Sequence, residues 1–63
     1  MDGQGSVYKD PKTGEKIVVY KKGKLWVAET NKFDTQEASK ARIKQKIKFW
    51  GYTKFVGYEP LCQ

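Results

Sequence analysis

The chain has 63 residues, of which 38% are hydrophobic and 32% are charged, and 13 Lys and Arg residues against 7 Asp and Glu residues give a net charge of +6. This length permits one small domain, and the nine aromatic residues make the chain too hydrophobic for a disordered tail. Such a domain has room for one sheet and one helix, so we expect no enclosed active-site cavity.

The residue types that most enzymes and metal sites need are scarce. There is no histidine, which is the commonest general base and metal ligand, and Cys62 is the single cysteine. We therefore expect a protein that is not an enzyme, with no catalytic residue, no metal and no cofactor. A lone cysteine, no apolar run of about 20 residues and no signal-peptide pattern predict a cytoplasmic protein with no membrane partner and no small-molecule substrate.

The first half of the chain predicts a meander of three short antiparallel strands. β-Branched and aromatic residues dominate three segments that turn signals separate, which is typical of strands. The turn at residues 10–14 has the sequence Asp-Pro-Lys-Thr-Gly, in which proline fits the second turn position and glycine accepts a positive φ. The expected strands are residues 6–9, 16–21 and 25–30.

The second and third strands predict a hairpin with two apolar faces. A two-residue loop at residues 22–23 would place Tyr20 opposite Leu25. Because side chains alternate along a strand, the hairpin divides into two faces. One face carries Val18, Tyr20, Leu25 and Val27, and the other carries Ile17, Val19, Trp26 and Ala28. We expect the first face to cover the helix and the second, which Lys21 and Lys24 border, to stay open.

Residues 34–51 predict one long helix. Asp34 is a suitable N-cap, Glu37 completes a capping box three residues later, and Gly51 stands where a left-handed C-cap would fall. The residues between them are mostly good helix formers. Basic and other residues alternate strictly over residues 40–48, which is also typical of a one-sided strand, but the capping signals and the length favour the helix.

This helix would have two apolar stripes on opposite sides. Ile43, Ile47 and Trp50 form one stripe, and Ala38, Ala41 and Phe49 form the other, with Gln45 among them. We expect one stripe to pack on the sheet and the other to contact the tail or a partner. Residues 52–58 predict a last strand.

The expected fold is α+β, a β-β-β-α-β chain with a small antiparallel sheet of three to four strands packed on one α-helix. We expect a single domain over residues 6–59 between two flexible ends, residues 1–5 and 60–63.

The basic residues are unevenly distributed and indicate a nucleic-acid partner. Residues 38–58 contain six basic residues and no carboxylate, so all of the net charge lies there. Lysines release counterions from phosphates, and aromatic faces contact bases or sugars. The candidate contact residues are Lys21, Lys22, Lys24 and Trp26 on the hairpin and Arg42, Lys44, Lys46 and Lys48 on the helix. The alternative is that the lysines form an ordinary solvated helix surface and that Trp26 and Trp50 belong to the core.

Two motifs resemble a known group of DNA-binding domains. They are YKDPKTGEK, followed by an aromatic strand, and FDTQEASKA at the expected helix start. They are similar to the three-stranded-sheet-plus-helix domains, namely the arm-site-binding domains of phage and transposon integrases and the plant ethylene-response-factor domains. The resemblance implies a phage or mobile-element source and an open sheet face that enters the DNA major groove through Lys21, Lys24 and Trp26. The arginines with which that family's sheet contacts DNA are absent here.

Three functions remain open at this point. The leading one is a small basic module that binds nucleic acid, DNA rather than RNA, with an affinity that falls steeply with salt. The second is a small inhibitor or regulator that docks on an acidic protein. The third is a polysaccharide-binding module that uses Trp26 and Trp50, since residues 20–28 (YKKGKLWVA) resemble chitin-binding modules.

Overall fold

The computed structural model describes residues 4–60, which form five strands and one helix. In chain order the elements are β1 (Gln4–Lys9), β2 (Lys16–Lys22), β3 (Leu25–Glu29), β4 (Asp34–Glu37), α1 (Lys40–Phe49) and β5 (Lys54–Pro60). The strands form one sheet in the order β4-β3-β2-β1-β5, and every neighbouring pair is antiparallel. The predicted α+β class is therefore confirmed, with five strands rather than three to four.

The sheet extends slightly beyond the expected domain of residues 6–59. β1 begins two residues earlier and β5 ends one residue later, because Gln4 pairs with Pro60 at the end of the β1–β5 ladder. The rest of the two segments that we expected to be flexible, including Cys62, lies outside the described residues.

The turn between β1 and β2 has the conformation that its sequence predicts. The backbone N–H of Lys12 donates a hydrogen bond of 2.8 Å to Oδ1 of Asp10, and the N–H of Gly14 donates one of 2.7 Å to the Asp10 carbonyl oxygen. Gly14 has a φ of +79°, which glycine adopts without a steric penalty. The turn is therefore closed by both the side chain and the backbone of its first residue.

The β2–β3 hairpin has the predicted faces but a different register. Its loop residues are Gly23 and Lys24, so Tyr20 pairs with Val27 and Lys22 pairs with Leu25. Gly23 has a φ of +64° at the first loop position, where glycine favours a type II′ turn. The partner of Tyr20 moves by two residues relative to our expectation. Because side chains alternate with a period of two, every side chain keeps its predicted face.

The expected helix start is wrong, because residues 34–37 form the edge strand β4. Asp34 pairs with Glu29 and Glu37 pairs with Trp26, so the backbone of this segment is extended and no capping box forms. The helix begins at Lys40 with Ser39 as its N-cap, so the N-cap lies five residues later than the expected Asp34. The segment FDTQEASKA is thus largely a strand followed by a helix start.

A tight loop explains why β4 remains extended. The hydroxyl oxygen of Thr30 accepts hydrogen bonds of 3.0 Å from the backbone N–H groups of Lys32 and Phe33. The N–H of Thr30 donates a hydrogen bond of 2.8 Å to the carbonyl oxygen of Phe33. These bonds reverse the direction of the chain after β3, so the following residues run antiparallel to β3. The backbone groups of β4 therefore pair with β3 and do not form a helical turn.

The C-terminal end of α1 is as predicted. Gly51 has a φ of +106°, and its N–H donates a hydrogen bond of 3.1 Å to the carbonyl oxygen of Lys48. The N–H of Tyr52 donates one of 2.9 Å to the carbonyl oxygen of Ile47. This pair of bonds is a Schellman motif, and it directs the chain from the helix towards β5.

The helix covers the face of the sheet that we expected to stay open. The core consists of Ile17, Val19, Ala28, Ile43, Ile47 and Tyr52, with Tyr8 and Trp26 packed against it. The stripe of α1 that carries Ile43 and Ile47 therefore packs on the face that carries Trp26. Small Ala28 lies between larger neighbours there, which lets the helix approach the sheet closely. The other face, which we expected under the helix, has no helix over it in residues 4–60.

The second apolar stripe of α1 is not covered by the tail. Residues 54–60 pair with β1 at the far edge of the sheet, and the side chain of Phe49 is 88% exposed. The ten-residue α1 does not meet the length and hydropathy that a membrane-spanning helix requires, and it is the only helix in residues 4–60.

Candidate nucleic-acid interface

Charge is divided unequally between the two sides of the sheet. The strand register places Lys9, Lys16, Lys22 and Lys54 on the side away from the helix, together with Glu29, Asp34 and Glu59. Among the strand and helix residues of the other side, Lys21, Lys40, Arg42, Lys44, Lys46 and Lys48 stand against Glu37, and the loop carboxylates of Asp10 and Glu15 approach this side at Tyr52. The side away from the helix is nearly neutral, and the helix side carries most of the net positive charge.

Two of the predicted contact residues form ion pairs between the helix and the edge strand. Lys46 Nζ lies 2.6 Å from Oε2 of Glu37 and 3.3 Å from the hydroxyl of Thr35, and a guanidinium nitrogen of Arg42 lies 4.0 Å from Oε1 of Glu37. The hydrogen bond from Lys46 lowers the pKa of Glu37 below its ordinary value, and the positive charges of Lys46 and Arg42 act in the same direction. Lys46 and Arg42 are therefore partly neutralised.

The lowered pKa of Glu37 predicts how its ion pairs respond to pH. In the unfolded chain Glu37 protonates near pH 4.5, and in the folded protein it does so at a lower pH. The stabilisation is therefore complete above the unfolded-state pKa of 4.5 and disappears as the pH falls through the folded-state pKa. We expect Glu37→Gln to lower the free energy of unfolding at about pH 6 and to have a smaller effect at about pH 3.

Urea unfolding of both proteins at the two pH values measures this difference. Glu59→Gln is the matched control, since its carboxylate forms no ion pair within residues 4–60. An equal loss for Glu37→Gln at both pH values would show that the ion pairs do not stabilise the fold.

Three other lysines of α1 form a continuous row on its exposed flank. Lys40, Lys44 and Lys48 are spaced four residues apart, so they lie above one another along one side of the helix. None of the three forms an ion pair with a carboxylate of residues 4–60. Lys40 Nζ lies 5.2 Å from the ring centroid of Trp26, which is a cation–π distance. We call these three residues the lysine row.

The hairpin residues that we predicted as contacts do not form one site. Trp26 is partly buried against the core and lies under Lys40, so it is a packing residue first. Lys21 pairs with Trp26 on the same side of the sheet, whereas Lys22 belongs to the other side and Lys24 is in the loop. Only Lys21 is thus placed near the lysine row. Lys40 was not among the predicted contacts, although its four-residue spacing from Lys44 indicates it.

A cluster of three aromatic residues, two of them exposed, lies beside the lysine row on the strands that the helix leaves largely uncovered. α1 packs chiefly over β3 and β4. On β1 and β5 the ring centroids of Tyr8 and Phe55 are 5.4 Å apart, and those of Phe55 and Tyr58 are also 5.4 Å apart. Both pairs are edge-to-face, an arrangement that aromatic rings prefer. We call these three residues the aromatic cluster.

A β-bulge creates the aromatic cluster. Phe55 and Tyr58 are three residues apart, so in a regular strand their side chains would point to opposite faces. The register of β5 against β1 shifts between Val7 and Tyr8, so Phe55 pairs with Tyr8 and Tyr58 pairs with Ser6. The extra residue in β5 therefore brings both rings to the helix side. The isolated glycine at position 57, inside β5, is the sequence signal that could have indicated this bulge.

A groove connects the lysine row to the aromatic cluster. It has a volume of about 480 Å3, and Tyr8 and Tyr52 line it on one side while Lys44 and Lys48 line it on the other. Burial raises the pKa of Tyr52, and the negative charges of Glu15 and Asp10 raise it further, so its hydroxyl remains protonated at neutral pH. The groove therefore has neutral aromatic walls and a cationic rim.

Comparisons with known proteins indicate no function, so the chemistry of this surface is the basis for a proposal. Family models, curated proteins and solved structures each gave no match to the chain. Within residues 4–60 no group of three or more His, Cys, Asp or Glu residues could hold a metal ion. The surface offers cations and aromatic rings, which are groups that bind anions and planar ligands.

Proposed function

We propose that this chain is a small, non-catalytic module that binds nucleic acid with the side of the fold that carries the helix. The observation that supports the proposal is the lysine row, three cations on one flank of α1 that form no ion pair with a carboxylate of residues 4–60. Regularly spaced lysines without an ion pair in residues 4–60 match the repeating phosphates of a nucleic acid, and their binding releases counterions. Because the opposite side is nearly neutral, the electrostatic field directs a nucleic acid to the helix side.

The fold favours contact through the helix flank over insertion of the sheet into a DNA groove. The resemblance to integrase and ethylene-response-factor domains implied that the sheet face with Trp26 contacts the bases. That face lies under α1, and Lys40 covers the ring of Trp26. In our proposal Trp26 therefore supports Lys40 from below, and the lysine row contacts the phosphates.

Removal of two row lysines provides the test. We expect Lys44→Gln with Lys48→Gln to weaken binding to DNA at low salt and to reduce the slope of log affinity against log salt by about 1 to 2 units. The matched control is Lys16→Gln with Lys22→Gln, which removes the same charge from the other side of the sheet. Fluorescence anisotropy with labelled DNA over a range of salt concentrations measures both. An equal effect of the two double variants, or no binding by the wild type at low salt, would contradict the proposal.

Docking on an acidic protein is the second candidate function, and a different observation favours it. Phe49 is 88% exposed, and its sequence neighbour Trp50 forms an exposed edge-to-face pair with Phe33, with ring centroids 5.3 Å apart. Exposed aromatic residues of this kind are frequent anchors in protein interfaces. Phe49→Ala would abolish binding to such a protein while leaving DNA binding unchanged. Polysaccharide binding has less support, because Trp26 is partly buried under Lys40.

A further inference from the structure

We propose that the aromatic cluster stacks unpaired bases, so that the preferred ligand of this module is a single-stranded nucleic acid. The inference rests on the proposed function, and it names the form of nucleic acid and a second set of contacts. In this arrangement the lysine row holds the phosphates along α1, and the bases turn towards β1 and β5.

The exposure of the aromatic cluster is the first step of the argument. Phe55 and Tyr58 are 48% and 65% exposed, whereas Tyr8 is partly buried against the core. Tyr8 therefore anchors a chain of three rings whose outer two members remain accessible. A 63-residue domain has few large apolar side chains with which to build its core, so two exposed rings in contact are a costly use of them. A ligand that covers them would offset that cost.

The position of the aromatic cluster relative to the lysine row is the second step. Tyr8 belongs to the cluster and also lines the groove whose opposite wall carries Lys44 and Lys48. A linear ligand that lies in this groove would contact cations on one wall and aromatic rings on the other. A single-stranded nucleic acid has the complementary arrangement, with phosphates on one side and planar bases on the other.

Base pairing determines whether the aromatic cluster can contact the bases, so the cluster distinguishes single strands from double strands. Aromatic side chains stack on any base, because every base has a π face, and this explains sequence-tolerant binding to single strands. In a duplex the bases stack on one another and are not available to Phe55 or Tyr58. The aromatic cluster would therefore strengthen binding to a single strand and leave duplex binding to the lysines alone. Stacking does not involve the 2′-hydroxyl, so the same chemistry applies to single-stranded DNA and RNA.

The experiment compares two ligands and two sets of variants. The ligands are an oligothymidylate about 12 nucleotides long and a hairpin duplex of matched charge. We expect the wild type to bind the single strand more tightly. Phe55→Leu with Tyr58→Leu should weaken single-strand binding by about tenfold or more and leave duplex binding and the salt slope unchanged. Phe49→Leu is the matched control, since this ring is more exposed but lies outside the cluster.

Two further measurements separate a loss of stacking from a loss of folding. Tyr58→Leu alone alters the most exposed ring of the cluster, and its urea midpoint should equal that of the wild type. Heparin carries negative charge but no bases, so it should bind the wild type and the cluster variants equally. In the wild type, the ring protons of Phe55 and Tyr58 should shift upfield when the oligothymidylate is added.

The outcomes distinguish this inference from the proposed function. If neither the single strand nor the duplex binds at low salt, both are wrong. If both ligands bind equally and the cluster variants behave as the wild type does, the stacking inference is wrong and the nucleic-acid-binding function stands. If the cluster variants lose affinity for the duplex and heparin as well, the rings affect binding by stabilising the fold and not by stacking on bases. The stacking inference is then again wrong.

Discussion

Replacing Ile43 with alanine should destabilise the protein by about 3 kcal/mol, and this is the largest effect that we expect from a single substitution in the core. Ile43 is fully buried, and it lies in the cluster that joins α1 to β2 and β3. The substitution removes apolar surface from the core and leaves a cavity that a close-packed interior only partly fills. Because the stability of so small a domain is itself only several kcal/mol, the variant should unfold at a much lower urea concentration.

Two controls make this prediction specific to burial. Phe49→Ala removes a larger side chain from the same helix, but its ring is 88% exposed, so we expect a change of less than about 0.5 kcal/mol. Ile43→Val keeps most of the buried volume and should cost about 1 kcal/mol, which ensures a measurable transition if the alanine variant does not fold. Equal effects of Ile43→Ala and Phe49→Ala would contradict the assignment of the buried stripe.

The parts of the fold that could be predicted from the sequence are those that local chemistry determines. The Asp10 turn, the faces of the β2–β3 hairpin and the C-cap at Gly51 each depend on a few neighbouring residues, and the structure confirms all three. The hairpin loop differed by one residue from the prediction. The faces were still correct, because the register change preserved the alternation of side chains.

The helix start was wrong because tertiary pairing overrode a strong local signal. Asp34 and Glu37 have the spacing of a capping box, yet the same residues can form an edge strand when a partner strand is available. The bonds of the Thr30 hydroxyl create that opportunity by closing the β3–β4 loop. Glu37 then finds its partner in Lys46 across the interface, and not at its own helix terminus.

Of the candidate site, the lysine row could be predicted from the sequence and the aromatic cluster could not, for a similar reason. The lysine row follows from helical spacing, which survives a shift in the helix start because the spacing is local. The aromatic cluster depends on the pairing of β5 with β1 and on a one-residue bulge, which are long-range features. The face that carries the helix was also assigned wrongly, because both faces of the hairpin are apolar and the sequence pattern does not distinguish them.

Replacing Gly51 with alanine should lower the free energy of unfolding by about 2–3 kcal/mol. Gly51 has a φ of +106°, which an L-residue adopts only with strain, and this conformation is needed for the Schellman bonds that end α1. A Cβ atom at this position would also lie 2.9 Å from Oδ2 of Asp10. That carboxylate cannot move freely, because its other oxygen accepts the 2.8 Å hydrogen bond from the N–H of Lys12.

Gly23→Ala separates the two causes of this destabilisation. Gly23 has a φ of +64°, and a Cβ atom at this position would have no neighbouring atom within 4 Å. Alanine there meets backbone strain alone and should cost about 1 kcal/mol. Because φ is +106° at Gly51 and +64° at Gly23, the contact with Asp10 is measured by removing it in the Gly51→Ala background. In the double variant Asp10→Ala with Gly51→Ala, the contact is removed, and the cost of the glycine substitution should fall towards that of Gly23→Ala. An unchanged cost would show that the strain at Gly51 is entirely conformational, and that the helix end and the β1–β2 turn are not coupled through this contact.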